Sequence, residues 1–247
     1  MKAAPEAQMR LLDLQELDTR LDRLAHRRRT LPELAEITKV EERLGGVGDA
    51  LVAAQTEISD IDREQKKAEQ DVDQVRARAE RDQKRLDSGQ VSSARDLENL
   101  QSEIVSLQKR QADLEDIVLE VMERREEAEN RLRAVEADKE AAEKDLAELT
   151  ERRDAANREI DGEAELVRTA RAGVAGDIPG DLLKLYEKLR EQQRGVAAAP
   201  LLRGQCQGCH LQLNTVELNA IRAAAKDDVI RCEECRRILV RTPDSGL

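Results

Sequence analysis

Aromatic residues are almost absent from this 247-residue chain, which has no Phe, no Trp and a single Tyr, Tyr186. Large cores depend on the area that aromatic side chains bury, so the composition excludes the compact interior of an ordinary globular enzyme. Long apolar runs are missing as well. Nothing reaches the roughly 20 residues needed to span a bilayer, and Met1–Gln15 holds no apolar run of signal-peptide length, so the chain reads as cytoplasmic. Only two histidines occur, His26 and His210, far apart in sequence. No Ser/His/Asp grouping, Gly-rich phosphate loop or carboxylate pair stands out from the charged background, and an enzyme is not expected.

Charge is abundant, at 38% of residues with a net value of -11. From Leu201 onward the balance turns slightly basic, so the acidity belongs to the part before it. An acidic surface repels nucleic acid and anionic lipid, which leaves proteins as the general class of partner. Abundant Ala, Leu, Glu, Arg and Lys point to long helices that each bury one narrow stripe.

The stripe is visible. Steps of three and four from Leu97 to Ala170 meet mostly apolar residues, with Gln111, Arg125, Lys139, Arg153 and Glu163 as exceptions. The same steps run from Leu51 to Leu86 and backwards through Val47, Leu44, Val40 and Ile37. A second stripe, Leu11, Leu14, Leu17, Leu21 and Leu24, opens the chain. Heptads this long need a partner helix over the seam. Between the two arms, the segment from Asp87 to Ser93 carries Ser88, Gly89, Ser92 and Ser93 and reads as a turn. Two arms of about 80 residues, roughly 120 Å each if unbroken, predict an antiparallel coiled-coil hairpin over residues 1–174. The seam can be covered within one chain or by arms swapped between two, which leaves monomer and dimer equally open. Pro32 and the group Gly45, Gly46 and Gly48 should segment the first arm, as hinges or as tolerated irregularities.

Gly173 to Gly180 ends the second arm, and a short helix follows with Leu182, Leu185, Tyr186 and Leu189 on one face. Tyr186 reads as packing, with a partner anchor as the alternative. Gly195, Pro200 and Gly204 mark a loop. Residues 175–247 are taken as a C-terminal domain with the short helix included.

Its chemistry lies in four cysteines: Cys206 and Cys209, then Cys232 and Cys235, in two CxxC turns. Each turn can present two thiolates at about 2.3 Å from one ion, and two such turns close a tetrahedral cage without an open position. One structural Zn2+ is the expected cofactor. Folding of the small module should depend on it, because no aromatic core is available. Asn214 followed by Glu217 opens a helix over 216–225 by a capping box, and 229–231 and 238–240 read as strands. Cys209-His210 also completes a haem-attachment pattern, but the second CxxC pair would then have no role. His210 reads as a solvent-facing residue near the cage. Arg203, Arg222, Lys226, Arg231, Arg236, Arg237 and Arg241 are the candidate contacts to a partner or to nucleic acid. The run His26-Arg27-Arg28-Arg29 reads as a solvated turn, with an acidic partner or RNA backbone as its alternative role.

Several segments resemble a bacterial family with a C4-type zinc ribbon behind an N-terminal helical hairpin, in its actinobacterial branch. They are Cys206-Gln-Gly-Cys209-His210, Cys232-Glu-Glu-Cys235-Arg-Arg-Ile-Leu-Val240, Asp181 to Arg190, and Ser93 to Ile104. The resemblance implies zinc ligation by the four cysteines. It also implies an adaptor role, which in some members concerns an alternative sigma factor, export components or messenger RNA. The chain is therefore expected to be a non-enzymatic zinc-binding adaptor for protein partners. The alternative is an RNA-binding protein that uses the basic residues of the ribbon.

Overall fold

The computed structural model describes every residue except Ser92, so that position of the expected turn lies outside the described residues. Among the described residues, five helices, three strands and a 3-10 turn follow one another: α1 (Pro5–Arg29), α2 (Pro32–Asp87), α3 (Ala94–Gly176), α4 (Gly180–Gln192), β1 (Ala198–Leu202), β2 (Gln205–Cys206), α5 (Thr215–Ala223) and β3 (Ile238–Arg241). The 3-10 turn Pro243–Ser245 ends the order. The chain forms two compact units, one from Met1–Leu34 with Glu151–Leu247 and the other from Ala35–Thr150.

In the second unit, α2 and α3 form an antiparallel pair. Ion-pair partners rise along one helix as they fall along the other: Arg43 with Asp138, Glu57 with Arg131, Glu64 with Arg124, and Arg76 with Glu115. Ile61, Val121 and Ala128 make a buried cluster along this seam. The polar seam positions reach its edges, where Arg125 meets Asp62 at 2.7 Å and Gln111 donates to Glu115. These surface pairs set register and contribute little stability each, on the order of 0.5 kcal/mol.

Pro32 breaks the first arm as its missing amide predicts, with Arg29 ending α1 and Pro32 opening α2. The glycines do not break it. α2 runs through Gly45, Gly46 and Gly48, so the expected segmentation there is corrected: an i to i-4 ladder held by the α3 seam absorbs their entropic cost.

In the first unit, Ala7, Leu11 and Leu14 of α1 pack with Leu182, Tyr186 and Leu189 of α4 and with Ala198, Ile238 and Val240 of the sheet. Leu11 and Leu14 of the opening stripe are thus covered by the C-terminal elements, whereas Leu24 packs with Leu31 and with Ile160 and Ala164 of α3. That separate cluster accompanies a register change in α3. Beyond Ile160 the buried positions are Ala164 and Val167, while Glu163 and Ala170 are exposed.

The sheet has the order β2-β1-β3. β1 runs parallel to β3, with Pro200 opposite Val240, and antiparallel to β2 through Leu201 and Leu202. The loop expected at Pro200 is therefore a strand. The Pro200 carbonyl accepts from Gln207 on the β2 side, just past β2 itself, where the ladder requires no amide from the proline. The strand expected over 229–231 is reduced to one bridge, Arg231 with Ile238. No described helix is long and apolar enough to cross a membrane.

Candidate metal centre

Each CxxC turn is built in the same way. The His210 amide donates to the Cys206 carbonyl at 2.7 Å, and the Arg236 amide donates to the Cys232 carbonyl at 2.9 Å. Both closing residues are left-handed, with φ of 58° at His210 and 62° at Arg236. Amides of Gly208 and Cys209 point at the Cys206 sulfur, and those of Glu234 and Cys235 at the Cys232 sulfur. Gly208 admits no side chain, because a Cβ there would sit 2.7 Å from Arg237 Cδ and 3.1 Å from Ala199. That gap lets the Arg237 guanidinium cross the first turn and donate to the carbonyls of Val196, Gly208 and Gln193.

The two turns bring all four thiols within 4.8 Å of one another. Sγ of Cys206 lies 3.9 Å from Cys235, and Cys209 lies 3.9 Å from Cys232. Tetrahedral ligation with Zn–S of about 2.3 Å requires about 3.8 Å between sulfurs, so the donor set fits zinc in chemistry and in spacing. A disulfide needs about 2.05 Å, and the four cysteines are free. Leu201, Leu213, Ile221 and Leu239 pack around the cage. Burial pushes the Cys206 thiol up to about 12, against the amides that favour its thiolate. Burial raises Cys232 likewise. At Cys235 burial pulls upward too, but donation from the Arg237 amide and guanidinium prevails and holds the thiol below its usual value. A divalent cation among these sulfurs favours all four thiolates and releases their protons.

The 22-residue spacer between the turns contains α5. Its capping box is present: the Glu217 amide donates to Asn214, and the Asn214 amide to the Glu217 carboxylate.

The candidate contact residues divide. Arg203, Arg222, Lys226, Arg231 and Arg236 are exposed. Arg237 is committed to the first cysteine turn, and Arg241 donates to the carbonyls of Ala224, Ala225, Lys226 and Asp228 after α5. Tyr186 is 0% exposed, so it serves packing and offers no anchor to a partner.

Around Tyr186 lies a buried polar group that the periodicity did not reveal. Asp18 is 1% exposed and accepts from Tyr186 Oη at 2.7 Å and from Arg171 Nε at 2.6 Å. Arg190 Nε lies 3.4 Å from the same carboxylate. Gln15 accepts from the amides of Ala197 and Ala198 and donates to the Gly195 carbonyl. Burial, then the Asp18 carboxylate, push the Tyr186 hydroxyl above its ordinary value. The available signal was spacing: Asp18 follows Leu14 by one turn and Leu11 by two, a polar residue on the core face.

A helical hairpin joined to a closed four-thiolate ribbon defines a class of zinc-binding, coiled-coil protein. Residues 14–194 match the CT398-like coiled coil hairpin domain and residues 205–239 the C4-type zinc ribbon domain, and the chain belongs to this family. Two uncharacterized proteins of Mycobacterium tuberculosis, from strains H37Rv and CDC 1551 / Oshkosh, are each 38% identical over 242 residues, covering 98% of both partners in the alignment. A solved structure from Mycobacterium smegmatis is similar with a TM-score of 0.85 at 36% identity, over 98% of this chain and 100% of that one. CT398 of Chlamydia trachomatis shares the fold at 20% identity, with a TM-score of 0.71 over 96% of this chain and 98% of that one. The protein carries one structural Zn2+.

Proposed function

We propose that this protein is a non-enzymatic cytoplasmic adaptor, with Cys206, Cys209, Cys232 and Cys235 as its zinc ligands and with the hairpin and ribbon as docking surfaces for proteins. The closed cage carries this reading. Four thiolates leave zinc no position for water or substrate, so the metal acts by folding the ribbon. Crosslinking with mass spectrometry, using the zinc-loaded chain as bait, tests it. The expected result is a reproducible partner crosslinked to exposed positions of α2, α3 or the ribbon; no reproducible partner counts against it. Light scattering on the same sample separates monomer from dimer.

A second reading, contact with RNA phosphates, rests on the five exposed cations Arg203, Arg222, Lys226, Arg231 and Arg236. With no aromatic to stack a base, such binding would be salt-dependent and weakly selective. Saturable RNA binding that is lost in the Arg231→Ala, Arg236→Ala variant would favour it over the adaptor.

A further inference from the structure

The basic run at the end of α1 does two different things. Arg27 faces Glu159 and Glu163, and Arg28 pairs with Asp161 at 2.8 Å. His26 and Arg29 turn the other way, toward two adjoining hollows of the first unit. The larger, of about 700 Å³, lies between α1, α4 and the Arg194-Gly195 turn, with Arg29, Lys188 and Arg194 among its walls. A second hollow of about 320 Å³ adds Arg23 and His26 and shares Asp22, Arg194 and Gly195 with the first. Thr19, Asp22, Arg23, His26 and Arg29 recur at three- and four-residue steps, so one face of α1 floors both hollows.

Among the described residues, Arg23, Arg29, Lys188 and Arg194 have no ion-pair partner, and all four are exposed. The acids of the groove are largely committed: Asp22 to Arg190 at 2.8 Å, and Glu187 to Arg171. Among the described residues, Glu191 is the groove's uncommitted carboxylate. The turn that brings Arg194 over the groove is strained. Arg194 has a φ of 56°, where glycine would be cheaper, and a Cβ on Gly195 would lie 2.7 Å from Asp22 Oδ2.

We propose that this groove binds an extended, acidic segment of a partner protein, which deepens the adaptor reading and rests on it. The α1 face from Thr19 to Arg29 is about 15 Å long at 1.5 Å per residue, enough for roughly five residues of extended chain. Charge decides the occupant. Spaced cations with carboxylates between them suit side-chain carboxylates at intervals, whereas the close, continuous phosphates of a polynucleotide would run against Asp22, Glu187 and Glu191. Tyr186 is buried, so no Phe, Trp or Tyr ring stands in the groove to stack a base.

The test is fluorescence anisotropy with the full zinc-loaded chain and a labelled hexaglutamate peptide, alongside hexaglutamine and inorganic polyphosphate. Saturable hexaglutamate binding is expected, weakening as salt rises, with none to hexaglutamine. The Arg29→Ala, Arg194→Ala variant should lose roughly tenfold or more in affinity, and Arg236→Ala on the ribbon should lose none. Lys188→Glu, at an exposed site, checks the same groove should the Arg194 variant fold poorly. No saturable hexaglutamate binding, equal binding by the groove variants, or binding of polyphosphate alone would overturn the proposal. A crosslinked partner without hexaglutamate binding sinks the groove alone; hexaglutamate binding with no partner in cells sinks the adaptor reading instead.

Discussion

Asp18 shows how much one residue can carry in a chain with so little aromatic core. Its carboxylate is buried among Tyr186, Arg171 and Arg190, joining α1, α3 and α4. Removing it takes the acceptor from the buried Tyr186 hydroxyl and leaves Arg171 and Arg190, each about a quarter exposed, with only Glu187 and Asp22 as partners. Asp18→Ala should therefore cost about 3 kcal/mol, and Tyr186→Phe, which deletes one hydrogen bond, about 1 kcal/mol, both read from urea unfolding. Titration offers a second check. Because the folded hydroxyl is raised above the ordinary value of about 10, the folded state keeps its proton where the unfolded state loses it. The stability linked to Tyr186 is thus fully present below pH of about 10 and is lost as pH rises beyond it. As the only aromatic residue, Tyr186 supplies a clean tyrosinate absorbance, and its midpoint in the folded chain should lie above that of the urea-unfolded chain.

At the scale of elements, heptad spacing was a sound guide wherever a helix is covered by another helix. It lapsed where the covering element changes: α3 buries Ala164 in place of Glu163 beside Leu24 and Leu31, and α1 buries the polar Asp18 beyond Leu11 and Leu14. The glycines of α2 make a measurable case. A Cβ at Gly45, Gly46 or Gly48 would meet nothing within 4 Å, and all three lie inside a continuous helix. Gly45→Ala and Gly46→Ala should each stabilise by about 0.5–1 kcal/mol, since alanine enters the helix with less backbone entropy to lose. A rise in the thermal midpoint measured by circular dichroism checks this, and a fall would show that the glycines serve a bend.

For the whole molecule, zinc is the point on which folding of the ribbon turns. Chelation should melt residues 205–239, because their apolar cluster is built around Cys206 and Cys232. Most helical circular dichroism should survive, since α2 and α3 draw on a seam that contains no cysteine. Faster labelling of the four thiols and new proteolytic cuts confined to the ribbon would confirm it. Global loss of helix would contradict it.

The helices, the Pro32 break, the capping box at Asn214 and the paired cysteines were legible in the residues alone, because each depends on near neighbours: periodicity, a missing amide, a fixed three-residue step. Which cations remain free was not. Arg237 and Arg241 look like Arg236 in sequence, yet they are bound to backbone carbonyls from other segments while Arg236 is exposed. The burial of Asp18, the strand through Pro200 and the groove at Arg194 likewise depend on elements far apart in the chain. Such contacts arise only when distant segments pack, and tertiary structure alone decided them.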